Sequence, residues 1–331
     1  MEAGIPTLLP WQSEVFQRAL KLKREQRLPH AVMLETPSDY QMENLARYLS
    51  MLLLCDQLQD LSLCGTCEAC RMMSAGTYAD FKLVTLEADA KTKKPSKNIK
   101  IDQVRNLIHE IFLTRKYDRL KIAVIYPAES MNKASANALL KTLEEPADDV
   151  LLLLITRNPG RIPITLRSRC QSWTIDPPDE AQSMTWIEGQ GVDSASAQQY
   201  LQYAGGDPLL ALHLQQHNYA QTVDTFKSNF AAFMRGGRSA SELCKSLSSS
   251  EVAVSRRLIQ MTLNAYCFKT CGVGADEQSS STLDRERARG LLDLQRRAQQ
   301  QLQVEENNLD FQLQLEDVLI SLKQILTRRL S

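Results

Sequence analysis

No stretch of this 331-residue sequence approaches 18 consecutive apolar residues, and Met1 to Trp11 lacks a basic-then-apolar layout. A membrane-crossing helix and a secretory leader are therefore not expected, and the expected compartment is the cytoplasm. Net charge is missing too, because 39 Lys and Arg balance 39 Asp and Glu. That excludes a protein that holds DNA by bulk positive charge alone. Neither an internal repeat nor an extended low-complexity segment is present. What remains is ordinary globular composition, 43% apolar and 24% charged, in a chain long enough for two or three domains.

From His30 to Trp173, β-rich runs alternate with helical patterns. Ala31–Leu34, Phe81–Leu86, Ile122–Ile125, Val150–Ile155 and Gln171–Ile175 read as strands, and Glu43–Leu54, Asp102–Leu113 and Asn132–Glu145 as helices. This alternation predicts βαβ units and a parallel sheet covered on both faces. Pro177-Pro178 breaks the pattern, and helices follow. Gly205-Gly206-Asp207-Pro208 punctuates a small helical unit, and a Gly-Ser-rich connector runs from Cys271 to Thr282. In the last helix, Leu315, Val318, Leu319, Leu322, Ile325 and Leu326 form one apolar stripe, expected to face its own core rather than an oligomer interface.

Four of the eight cysteines, Cys55, Cys64, Cys67 and Cys70, are separated by eight, two and two residues. In a reducing compartment such a cluster points to metal or redox chemistry, not disulfides. Two-residue gaps let thiolates converge on one ion, and four sulfurs close the tetrahedral shell of a structural zinc. An iron–sulfur cluster shares this spacing, and four unrelated buried thiols are the bland alternative. Zinc would staple the loop Asp56–Arg71 to the helix ending at Leu54, which the loop's few apolar residues could not do alone. A zinc-dependent redox or hydrolytic enzyme would require an open coordination position. Cys170, Cys244, Cys267 and Cys271 show no such convergence.

A phosphate-cradling loop after the first strand requires glycines, a lysine and a Ser or Thr. The sequence contains no Gly-Lys dipeptide. Thr36 and Gln41 stand where the glycines would be, Met42 at the lysine position and Glu43 at the Ser/Thr position. Pro37 removes a donor, and Asp39 and Glu43 would repel a triphosphate. After the strand Ile122–Ile125, Tyr126-Pro127 stands where a magnesium-binding Asp and a Glu that activates water belong. Two independent lesions argue against hydrolysis in this chain, with an active ATPase using an unorthodox loop as the alternative.

Asn137-Ala138-Leu139-Leu140-Lys141-Thr142-Leu143-Glu144-Glu145-Pro146 resembles the signature helix of bacterial clamp-loader subunits in the AAA+ superfamily. Leu166-Arg167-Ser168-Arg169-Cys170 is similar to the Ser-Arg-Cys motif of the same family. With the cysteine spacing and the missing phosphate residues, the chain resembles the ATPase-lacking stator of the DNA polymerase III clamp loader. The likeness is specific from His30 to Trp173 and rests on helical layout beyond. It implies an α/β AAA+ parallel-sheet domain over 1–176 with a zinc-binding insertion at 55–70. A small helical lid over 177–217 and an all-α collar over 218–331 would follow.

The resemblance further implies a five-subunit ring with delta and the gamma or tau ATPases, part of the DNA polymerase III holoenzyme. The sliding clamp and primer–template DNA would be reached through the assembled complex. It also implies structural zinc, no bound ATP, and Arg169 as an arginine finger acting in trans, positioned by Ser168 and Cys170, with Arg167 a weaker candidate. Gly206-Asp207-Pro208 carries no arginine to sense nucleotide. Acidic Glu144 and Glu145 oppose the dipole at their helix's end, so local stability does not explain them. Lys91, Lys93, Lys94, Lys97 and Lys100 form a basic run that reads as solvated loop lysines, with a contribution facing DNA as the alternative.

Overall fold

The computed structural model describes residues 5–36, 42–87, 96, 98–117, 119–217, 219–247, 252–271, 282–303 and 311–327. The chain divides into two compact units, Met1–Gln182 and Ser183–Ser331. In the first, five parallel strands, β1 (Ala31–Glu35), β2 (Phe81–Val84), β3 (Lys121–Ile125), β4 (Val150–Thr156) and β5 (Gln171–Thr174), lie in the order β2-β3-β4-β1-β5. Around them run α1 (Ser13–Arg24), α2 (Met42–Leu54), α3 (Glu68–Ser74), α4 (Ile101–Phe112), α5 (Lys133–Glu144) and the single turn α6 (Ile164–Arg167).

The two-residue period of a strand splits its side chains between two cores. Val32, Leu34, Ile122, Val124, Leu151 and Leu153 share one core with Phe16 of α1 and Leu49 and Leu52 of α2. Ala31, Met33, Ala123, Ile125, Leu152 and Leu154 share the other with Val104 and Leu107 of α4 and Leu139 and Leu143 of α5. Every residue of β3 and β4 is buried, which is why these strands read as unbroken apolar runs. On the edge strand β5, Trp173 is buried while Gln171, Ser172 and Thr174 face out.

Helix α1 was not among the expected elements. It buries Val15, Phe16, Ala19 and Leu20, its Phe16 ring stacks on Tyr48 at 5.5 Å, and Arg18 lies over the Trp173 ring. β3 begins one residue earlier than its apolar run, at Lys121, whose side chain is only 3% exposed. Its ammonium donates to the carbonyls of Glu110 (2.9 Å) and Leu113 (2.7 Å) at the end of α4 and lies 3.9 Å from Asp80. Asp80 in turn accepts the backbone N–H groups of Lys116 and Tyr117, each at 2.9 Å. Removing one member leaves the other charge buried. Asp80→Ala is therefore expected to cost about 3 kcal/mol, measured by chemical denaturation of the purified chain.

After β5 the described residues are helical. The helices are α7 (Glu180–Gly189), α8 (Ser194–Ala204), α9 (Pro208–Gln216), α10 (Ala220–Met234), α11 (Ala240–Leu247), α12 (Val252–Cys271), α13 (Thr282–Gln303) and α14 (Phe311–Thr327). Gly205 closes α8 in the left-handed region at φ 61°, and Asp207 then caps α9, accepting the N–H groups of Leu209 and Leu210 with Pro208 in the first turn. The Gly-Gly-Asp-Pro segment is thus a paired stop and start. On α14, Leu315, Val318, Leu319 and Leu322 are buried and Ile325 and Leu326 half-buried, so the stripe faces the unit's own core. Residues 272–281 of the Gly-Ser-rich connector lie outside the described residues. No helix among those described is long and apolar enough to cross a membrane.

Candidate functional site

The four cysteines converge. Their sulfurs all lie within 4.8 Å of one another, the one cluster of metal-ligating side chains among the described residues. The Cys55 and Cys64 sulfurs are 3.5 Å apart and those of Cys64 and Cys70 4.0 Å. A tetrahedral ion with bonds of about 2.3 Å sets its sulfurs about 3.8 Å apart, so the set fits a single ion. A multi-iron cluster interposes several atoms and needs wider spacing. With four sulfurs converging, no coordination position is left for a reacting water.

Local backbone makes the convergence. Gly65 adopts a left-handed φ of 69°, and a Cβ there would come within 2.7 Å of Ile5. The turn lets Cys64 Sγ accept the Cys67 N–H at 3.3 Å, while Cys67 Sγ accepts the Cys70 N–H at 3.5 Å as α3 begins. The Cys67 N–H pulls the Cys64 thiol down to about 6. Burial pushes the thiols of Cys55 and Cys70 up, so those two hold their protons until a cation displaces them.

The module is also tied down without metal, more firmly than its composition suggests. Leu58, Leu61 and Leu63 pack partly against the core, and the Tyr48 hydroxyl donates to the Leu61 carbonyl at 2.6 Å. Arg119, just before β3, donates to Asp56 at 2.8 Å and lies 3.9 Å from Glu68. The Lys23 ammonium donates to the Leu53 carbonyl at the end of α2. Sequence reasoning missed these partners because none is a neighbour in the chain.

At the expected phosphate loop, Gln41, Pro37 and Asp39 lie outside the described residues. Thr36 is buried, and its N–H donates to the Thr156 carbonyl at 3.0 Å. Met42 is 5% exposed and packs in the core as the first residue of α2. Glu43 accepts a hydrogen bond from the Tyr126 hydroxyl at 3.1 Å and lies 3.9 Å from Arg47. Residues from the two phosphate elements are therefore bonded to each other. Burial, reinforced by the Glu43 charge, pushes the Tyr126 phenol up to about 12, so it stays a protonated donor at neutral pH and offers no anionic ligand to magnesium.

The two family stretches also meet. α5 starts at an Asn132 cap that accepts the Ser135 N–H at 2.8 Å and ends at Glu144. Arg169, just past α6, donates to Glu144 Oε1 from Nε (3.0 Å) and Nη2 (2.6 Å). Its Nη1 donates to the Thr165 carbonyl at 2.9 Å and approaches Ser168 Oγ at 3.4 Å. Arg169 therefore answers the acidic end of α5. Ser168 donates to Thr165 at 3.2 Å. Cys170 packs partly on the α4/α5 core, where burial pushes its thiol up to about 11. Arg167 is half-buried, with its Nε unbonded. Of the lysine run, Lys91, Lys93, Lys94 and Lys97 lie outside the described residues. Lys100 precedes α4, and its N–H is accepted by Gln103 at 2.9 Å.

Comparison with known proteins gives these sites a lineage. The family described as DNA polymerase III, delta subunit, matches residues 11–179. The DNA polymerase III subunit delta' of Pseudomonas aeruginosa is 34% identical over 226 residues, 66% of this chain and 66% of that protein. That of Escherichia coli is 32% identical over 217 residues, 65% of this chain and 63% of that protein. The DNA polymerase III subunit tau/gamma of Haemophilus influenzae is 30% identical over 159 residues, 48% of this chain and 22% of that protein. The matches thus span just under two thirds of the delta' relatives' own length. Because the family match takes in the cysteine module, all five strands and the Arg169 turn, the chain belongs to the DNA polymerase III delta-subunit family, among relatives named delta'.

Proposed function

We propose that this chain is a non-hydrolysing stator subunit of the DNA polymerase III clamp loader, working in the cytoplasm and built on the AAA+ plan. In this reading 1–176 is the AAA+ domain, 177–217 the lid and 218–331 the collar that joins delta and the gamma or tau ATPases. The assembled ring, not this chain alone, engages the sliding clamp and primer–template DNA. That division of labour suits a subunit of zero net charge. The four cysteines hold structural zinc, which would brace the module and supply no chemistry.

One contact supports the inactive reading above the others, the Tyr126–Glu43 hydrogen bond. It sets a neutral phenol and a carboxylate where an ATPase needs a magnesium ligand and a hydroxyl. Arg169 then supplies what the neighbour lacks. A planar guanidinium offers parallel N–H donors to phosphoryl oxygens, and such a finger stabilises charge that develops as the γ-phosphoryl group transfers. Ser168 and Cys170 fix the turn that carries it, one by hydrogen bonding and the other by packing.

Calorimetric titration of the purified chain with ATP and magnesium tests the inactive half of this reading. No binding tighter than about millimolar is expected. Micromolar affinity with magnesium-dependent turnover would instead make the chain an ATPase with an unorthodox loop.

A further inference from the structure

All three guanidinium nitrogens of Arg169 are already engaged within this chain. Nε and Nη2 are on the Glu144 carboxylate, and Nη1 is on the Thr165 carbonyl. A guanidinium has five N–H donors, and the Nε/Nη2 edge taken by Glu144 is one of its bidentate edges, suited to a phosphate as much as to a carboxylate. The pair is accessible to solvent, with side chains 36% and 53% exposed. It is therefore a weak contact, open to exchange. A nucleoside triphosphate carries several negative charges against one on Glu144, and inside a closed subunit interface its attraction for Arg169 is less screened. The same contact can thus hold the arginine in the free chain and yield to a phosphate.

We infer that Glu144 is a latch that parks Arg169 away from the neighbouring subunit until a triphosphate outcompetes it. This rests on the reading of Arg169 as the finger. Glu144 acts through Arg169 and touches no reacting atom, so it is a positioning residue. Its place on the last turn of α5, against the dipole, follows from the same role. The carboxylate weakens its own helix end slightly and is retained because Arg169 docks there. Adjacent Glu145 makes no bond to Arg169 and serves as the control.

The test is ATP turnover by the reconstituted assembly of this chain with delta and the gamma or tau subunits, without clamp or DNA. Glu144→Gln keeps the side chain's size and removes its charge. It is expected to raise basal turnover about two- to fivefold, the factor an exposed ion pair contributes, with the gain in kcat and not KM. Glu145→Gln should leave turnover unchanged. The double variant Glu144→Gln/Arg169→Ala should match Arg169→Ala, since the gain requires the arginine.

Turnover that is unchanged or reduced in Glu144→Gln would overturn the latch and make Glu144 a brace or a bystander. An equal gain in Glu145→Gln, or a gain that survives without Arg169, would overturn it as well. Unchanged turnover in Arg169→Ala alone would remove the finger reading itself, a failure distinct from that of the latch.

Discussion

Replacing Arg169 by Ala is expected to leave the assembly intact and to remove most of the stimulated ATP hydrolysis at the one neighbouring site it serves. The side chain is exposed, and its one ion pair is at the surface, so its loss should cost the chain under about 1 kcal/mol of stability. The catalytic loss is of another order, because an arginine supplied in trans contributes about a thousandfold or more at the site it serves. Only the ATPase site facing this subunit is affected, so the summed turnover should fall to what the other sites sustain. Co-purification with the partners, followed by steady-state turnover with clamp and primed DNA, measures both quantities on one sample. Arg169→Lys should recover little, since an ammonium keeps the charge but not the fork.

Chelating the zinc proposed for the four cysteines, or replacing Cys67 by Ser, is expected to act on stability and not on chemistry. In isolated zinc modules the ion supplies essentially all of the folding free energy. Here the loop is also held by Tyr48, Arg119 and three leucines packed on the core, so the sheet should survive while residues 55–74 lose hydrogen-exchange protection. A fall in Tm of about 5–10 °C corresponds to the loss of a few kcal/mol in a unit of this size. Bound metal must displace the protons that burial holds on Cys55 and Cys70. Affinity is therefore highest at alkaline pH and falls as pH falls, a trend that titration with zinc at several pH values reads directly.

The strands could be read from sequence because β1, β3 and β4 are covered on both faces, and such strands are nearly continuous apolar runs. The convergence of the cysteines was equally readable, since three of the four sit at two-residue gaps around a glycine turn. Lys121 escaped because a charged residue does not announce a buried strand position, and only the Asp80 carboxylate and the α4 carbonyls make it acceptable there. Helix α1 escaped for another reason. Its amphipathic face lies ahead of the strand–helix alternation, and what it buries against, Tyr48 and Trp173, is far along the chain.

At the sites, composition supplied the residues but not their pairing. Tyr126 and Glu43 each stood out as wrong for nucleotide chemistry, and their mutual bond spans 83 positions. Glu144 stood out as unexplained, and its partner lies 25 residues away across a strand and a turn. Short-range motifs carry spacing, whereas ion pairs between elements depend on the packing that brings those elements together.

In the proposed role this chain gives an arginine and takes no nucleotide. Determining the structure of the reconstituted assembly with magnesium and a transition-state analogue of ATP tests both halves at once. The Arg169 guanidinium is expected within about 3 Å of the analogue's terminal phosphoryl group in the neighbouring subunit, its bond to Glu144 broken, and no nucleotide between Thr36 and Tyr126. Nucleotide seated against Thr36 and Tyr126, or Arg169 still paired with Glu144 beside an occupied neighbouring site, would contradict it.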